Sequence, residues 1–201
     1  MVGRVLLEFP DGFDRISDVY DSIRKKGAQI TLSTVSKVLS KMEEDLIVSK
    51  SNNQVRLIQP EKLIENLVSK YQEPIYEERI TAKLPEEREE ASKILSDYFG
   101  NSWIFAGESV ADKYSSTPRI FENKVYIKSA GNLSKFKKVY EDKRFFNYNI
   151  FLIAPKEDFV FFSSVNNTAS RIQAYLELSK LDKREKEIAE DIKRNIINGV
   201  R

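Results

Sequence analysis

An α+β fold in two parts is predicted, and three observations predict it. Residues 31–42 carry Val35, Val38, Leu39 and Met42 at three- and four-residue steps, the apolar stripe of a helix lying on a small core. Directly behind them, 46–50 and 54–58 read as two short strands joined by Ser51-Asn52-Asn53, residues that tolerate the left-handed backbone of a tight hairpin. From about residue 75 the pattern changes to alternating strands and helices.

The first part follows in order. Residues 2–9 form a short apolar helix, stopped by the turn-rich Pro10-Asp11-Gly12. A second helix spans 16–26, with Ile16, Val19, Tyr20 and Ile23 on one face. Gly27 closes it, because glycine enters the left-handed conformation without steric cost. Residues 27–30 turn the chain, and Thr31 caps the third helix. Helix, helix, turn, helix, hairpin is the order of a winged helix-turn-helix, which is assigned to 1–59. Residues 60–74 supply a connecting helix, with Leu63, Ile64, Leu67, Val68 and Tyr71 on its apolar side, and a linker at Gln72-Glu73-Pro74.

The second part is assigned to 75–201 as a mixed sheet backed by helices. Strands are expected at 77–82, 103–106, 125–128, 150–153 and 159–162. Helices are expected at 85–99, opening on proline and acids and closing on Gly100, and at 109–114, 132–140, 168–180 and 183–197. On the last, Lys186/Glu190 and Glu190/Arg194 stand at i, i+4 spacing, and Ile188, Ile192 and Ile196 form a packing face.

Composition narrows the chemistry. Cysteine and histidine are both absent, which excludes disulfides, thiolate zinc sites, cysteine nucleophiles and histidine-based triads. No run of about 18 apolar residues exists, and the N-terminus lacks the plan of a signal peptide. A soluble cytoplasmic protein without a membrane partner is expected, with no cofactor and no metal. The net charge is only +2, so any nucleic-acid footprint must be local. Between Arg24 and Arg56 seven cations stand against three acids, Glu43, Glu44 and Asp45, which cluster at the end of the third helix.

That helix carries the candidate site. Ser33, Thr34, Ser36, Lys37, Ser40 and Lys41 fill the side opposite the apolar stripe, offering short donors and acceptors to base edges and cations to phosphates. Lys50, Asn52, Asn53 and Arg56 flank the hairpin tip, where a wing meets phosphate or minor groove, and Lys25 and Lys26 are placed for backbone phosphate. The same side chains also suit an ordinary solvated helix face. The expected partner is operator DNA in double-stranded form, bound by a homodimer because one winged helix buries little surface.

Several segments carry a family resemblance. The ending Arg171-Ile172-Gln173-Ala174-Tyr175-Leu176-Glu177-Leu178, followed by Leu181-Asp182-Lys183-Arg184-Glu185-Lys186-Glu187-Ile188-Ala189, resembles the AbiE-type antitoxins of type IV toxin–antitoxin systems. Glu177 stands where that family more often has aspartate. The exit Arg56-Leu57-Ile58-Gln59-Pro60-Glu61-Lys62-Leu63 and the segment Phe105-Ala106-Gly107-Glu108-Ser109-Val110-Ala111 are similar too. The resemblance implies a winged-helix repressor of its own operon, joined to a degenerate nucleotidyltransferase-like domain that neutralises a nucleotidyltransferase-like toxin.

Two other readings are weighed. Nucleotidyl transfer needs a Gly-Ser element and then two acids at alternate strand positions to hold metals. Gly107-Glu108-Ser109 matches the first poorly, and 119–127 contains no acid-x-acid pair. Glu108 and Asp112, at i, i+4, read as a solvated face. Catalytic residues are therefore not assigned, and an enzyme is not expected. Lys135-Phe136-Lys137-Lys138 with Lys143-Arg144-Phe145-Phe146 interleaves cations and aromatics as surfaces for RNA or single-stranded DNA do, although core aromatics beside solvated lysines give the same pattern.

Overall fold

A computed structural model of the chain describes residues 1–52, 54–115, 123–128, 130–142, 149–181 and 183–200. The fold is mixed α/β with two small sheets among the described residues. It divides into two compact units, Met1–Gln72 with Glu190–Arg201, and Glu73–Ala189. The closing segment Glu190–Arg201 thus groups with the first unit, where the sequence pattern assigns it to the second.

In the first unit, helix α1 (Val2–Glu8) touches α2 (Ile16–Lys25), α3 (Leu32–Glu44), α4 (Pro60–Lys70) and strand β2 (Gln54–Leu57). Its residues Val2 to Leu7 are all buried, and all but Arg4 are uncharged and without a polar side chain. Val19 and Ile23 of α2, Val35 and Leu39 of α3, Leu63 and Ile64 of α4, and Ile47, Val48 and Val55 of the hairpin region are buried with it. Val38 and Met42, expected in that core, are half-buried instead. They lie on the flank of α3 that borders an open groove.

Strand β1 (Val48–Ser51) pairs antiparallel with β2, from Val48 opposite Leu57 to Ser51 opposite Gln54. Asn52 takes φ +50 in the two-residue turn, the left-handed geometry such hairpins require. Phe13 and Val55 exchange both backbone hydrogen bonds, at 2.9 and 2.8 Å, and so dock β2 onto the segment between α1 and α2. Gly12 makes this approach possible: its φ is +78, and a Cβ there would stand 2.4 Å from the Val55 carbonyl oxygen.

The second unit holds a four-stranded mixed sheet in the order β3 (Tyr76–Ala82), β6 (Ile150–Pro155), β5 (Asn123–Ile127), β4 (Trp103–Ala106). The β5–β6 pair is parallel, and the two outer pairs are antiparallel. Helices α5 (Arg88–Phe99) and α7 (Leu133–Tyr140) cover one face, where the Phe99 and Phe136 rings pack tilted at 42° with centroids 5.4 Å apart and the Trp103 indole donates to Ser96. On the other face, Ile104, Ala106, Tyr126 and Ile153 cluster with Val160, Phe161 and Ala169. Helix α8 (Arg171–Leu178) follows, and α9 (Lys183–Val200) ends the described chain.

Four sequence expectations change. The apolar run expected as a strand at 159–162 forms a 3-10 turn at Asp158–Phe161, whose Val160 and Phe161 plug the cluster instead of extending the sheet. Helix α5 starts at Arg88 rather than 85, because Asn149 holds both backbone groups of Leu84 in an extended tail. Helix α8 starts at Arg171 rather than 168: the Ser170 hydroxyl accepts from the Gln173 N–H and caps it there. On α9, Arg194 pairs with Asp191 at 3.1 Å rather than with Glu190.

Gly12→Ala is expected to destabilise the first unit by about 2 kcal/mol or more, since a β-carbon meets both a left-handed backbone and a carbonyl oxygen. A stability change by urea unfolding of less than about 0.5 kcal/mol, the range of a neutral surface change, would show that Gly12 does not hold the hairpin down.

Candidate nucleic-acid interface

Helix α3 is positioned by its ends and by its buried side. Thr31, in extended conformation, accepts the Thr34 N–H at 3.1 Å and shares a 2.9 Å hydroxyl contact with Thr34 Oγ1. Gly27, at φ +84, turns the chain out of α2 and sets the angle at which α3 enters. With Val35 and Leu39 buried, the helical repeat of about 100° per residue turns Ser33, Thr34, Lys37 and Lys41 outward. All four are exposed. Ser36 and Ser40 are half-buried on the flank facing the hairpin.

Two expected cations are already engaged. The Lys50 ammonium lies 2.8 Å from Glu43 Oε2 and donates to Ser40 Oγ at 3.0 Å, and the Lys50 backbone N–H donates to Glu43 Oε1. Lys50 therefore clamps the hairpin onto α3 instead of reaching out beside the tip, and Ser40 is its acceptor. Lys26 pairs with Glu8 at 2.5 Å, tying the end of α2 to the end of α1. The acid-rich beginning of the chain supplies its partner, a pairing that sequence spacing does not reveal. Such half-exposed pairs are each worth about 1 kcal/mol at most, so their effect is to aim side chains rather than to hold the fold.

The rest of the set stays outward. Arg56 is exposed on the outer face of β2 and reaches Gln54 Oε1 at 3.4 Å, while Gln54 donates in turn to Asp14. Asn52 is exposed at the tip, Lys25 is exposed at the end of α2, and Asn53 lies outside the described residues. Lys37 and Lys41 make no ion pair or side-chain hydrogen bond among the described residues. Ser33, Thr34, Lys37 and Lys41 thus form one free polar surface on α3, with Arg56 on the neighbouring hairpin. Lys70, at the end of α4, borders the same groove as Lys37 and Lys41; nothing local in the sequence marks it.

In the second unit, the Gly107-Glu108-Ser109 segment is held by structural contacts. Gly107 takes φ +56 after β4, and Ser109 is fully buried. The Ser109 hydroxyl accepts the Lys124 N–H at 2.6 Å and donates to the Lys124 carbonyl at 3.2 Å, so it completes strand β5. Asp112 stands 3.6 Å from Arg88, and Glu108 borders a separate cavity of about 250 Å³ with Lys124, Tyr126 and Arg79. Among the described residues no three acids gather as a metal site. Beneath the cavity, Lys124 pairs at 3.2 Å with Glu177, whose side chain is only 2% exposed and which also accepts from Gln173 Nε2 at 2.6 Å.

The aromatic and cationic run on α7 separates by depth. Phe136 is fully buried between Tyr98, Phe99 and Tyr140, whereas Lys135 and Lys138 are exposed. Lys137 is tied to Glu78, a hydrogen bond that raises its pKa above the ordinary lysine value. No stacking surface is presented by this helix. Residues 143–148, with the second half of the run, and 116–122, with the first part of the 119–127 segment, lie outside the described residues.

Two substitutions check this geometry. Thr31→Ala is expected to cost about 1 kcal/mol while Thr31→Ser costs little, measured by thermal unfolding; equal losses would remove the hydroxyl cap from the account. Lys124→Met is expected to cost about 3 kcal/mol by leaving a buried carboxylate without its cation. Glu177→Gln should cost less, because the Lys124 side chain is 26% exposed and reaches water. Urea unfolding with the reverse ranking would contradict the assigned burial.

Against known proteins the chain stands apart: no family model, no curated protein and no solved structure matches it.

Proposed function

We propose that the chain is a sequence-specific regulator of transcription that binds double-stranded DNA through a winged helix-turn-helix in its first unit. Helix α3 enters the major groove, the β1–β2 hairpin is the wing, and Arg56 meets phosphate or minor groove. One observation carries the reading: Ser33, Thr34, Lys37 and Lys41 stand together, exposed and unengaged by any acid among the described residues, on the outward side of a helix whose other side is locked into a core. A helix that reads base edges needs short hydroxyls close to the groove floor and cations near the phosphates.

The antitoxin-like role rests on the resemblance of 171–178 and 181–189 to the AbiE-type family. On that reading the second unit is a degenerate nucleotidyltransferase-like domain, its partner is a nucleotidyltransferase-like toxin, and the chain represses its own operon, as a dimer on a two-fold operator. The use of Ser109 as a backbone cap supports a unit without nucleotidyl transfer.

The test is a mobility-shift titration against DNA upstream of the chain's own gene, at several salt concentrations and with scrambled competitor. Lys37→Ala and Arg56→Ala are each expected to weaken binding and to lower the salt slope by about one unit, the share of a single neutralised phosphate. Lys26→Ala, whose ammonium is held by Glu8, should leave the slope unchanged. Absence of any specific shift at low salt would reject DNA binding. Equal slopes for the wild type and all three variants would reject the surface assigned to it.

A further inference from the structure

The groove beside α3 has an unusual lining for a bare DNA-binding surface. It encloses about 550 Å³ between α1, α3 and α4, inside the range of about 300–1,000 Å³ typical of small-molecule sites. Its apolar wall includes Val38 and Met42, the two stripe residues of α3 that the core does not take, and the half-buried Leu67 of α4. Its charged lining is lopsided. Lys37 and Lys41 enter one turn apart from α3 and Lys70 enters from the end of α4, against a single acid, Asp45. All three lysines are exposed, and none makes an ion pair or side-chain hydrogen bond among the described residues.

DNA alone does not account for that combination. Phosphate would satisfy the lysines, yet it would leave the apolar wall of the open groove unfilled and wet. An uncharged hydrophobe would fill the wall and strand the cations. A single-chain amphiphile with one anionic head satisfies both, laying its chain over Val38, Met42 and Leu67 and its head among the lysines.

We propose that this groove binds an anionic single-chain amphiphile of the long-chain carboxylate class, and that the bound molecule competes with DNA for Lys37 and Lys41. The competition rests on the DNA-binding reading above; the groove itself does not. Coupling follows from shared cations: a head group that neutralises Lys37 and Lys41 removes them from phosphate, so ligand and DNA each weaken the other by the same factor. The groove thereby makes the first unit a sensor as well as a reader.

Isothermal titration of the full chain with decanoate, and separately with the uncharged 1-decanol, tests the site. Decanoate should bind saturably at one site per chain and more tightly than the alcohol. Val38→Glu, which sets a carboxylate in the apolar wall, should weaken decanoate binding about tenfold or more. Lys70→Glu, an exposed change outside the DNA surface, should weaken decanoate but not decanol, which guards against a loss of fold. Equal affinity for acid and alcohol would overturn the assigned head group. No saturable binding of decanoate would overturn the proposal, and a dimer in sedimentation that Val38→Glu dissociates would give the groove to a second copy instead. In the mobility shift, added decanoate should release wild-type DNA and leave the Val38→Glu complex intact. A chain that binds decanoate without ever shifting DNA refutes the DNA reading alone. A chain that shifts DNA yet ignores decanoate refutes the groove alone.

Discussion

Val55 is fixed on three sides, and the geometry of the first unit depends on it. Its side chain is fully buried, and its backbone N–H and carbonyl are both taken by Phe13. Across the hairpin it faces Lys50, whose own backbone is held by Glu43 of α3. One residue thereby connects the α1–α2 segment, the hairpin and the exit of α3. A two-stranded hairpin is marginal by itself in water, so its orientation has to come from such anchoring. Residues that alternate outward from Val55, Gln54 and Arg56, inherit their direction from this anchor.

Cations in this unit fall into two groups that composition does not separate. Lys26, Lys50 and Lys62 are spent on Glu8, on Glu43 and on the Asp45 carbonyl. Lys37, Lys41 and Lys70 have no such partner among the described residues. The difference comes from where acids of distant sequence arrive in space: Glu8 stands 18 positions from Lys26. A count of local charge therefore overstates the positive surface, while the free group is smaller and concentrated on one flank of α3.

Much of the architecture was legible from short-range signals. The caps at Thr31 and Gly27, the left-handed turn at Asn52 and the three- and four-residue stripe each act within a few positions, and each appears where the residues place it. What escaped was long-range or ambiguous in period. An apolar run such as Phe159-Val160-Phe161-Phe162 reads equally as a buried strand or a buried turn, and the sheet already had four strands. Val38 belongs to the apolar stripe by spacing, but the core narrows at α4 and leaves it beside open space. Lys50 looked free because its acceptors, Ser40 and Glu43, stand on another element. Of the candidate site, the identity of the face was readable; which of its members were already occupied was not.

The order of strands in the second unit has a consequence for how the chain comes into being. Strand β3 pairs in the sheet with β6, about 70 residues later, and Ala82 bridges Glu141, so the strand waits through the synthesis of most of its unit before a partner exists. A waiting strand is a template for pairing with other chains. Its sequence answers that hazard: Tyr76-Glu77-Glu78-Arg79-Ile80-Thr81-Ala82 offers three consecutive charges and a single large aliphatic side chain. The charges that make β3 look a poor strand in isolation are those that keep it solvated and unpaired until its neighbour is made.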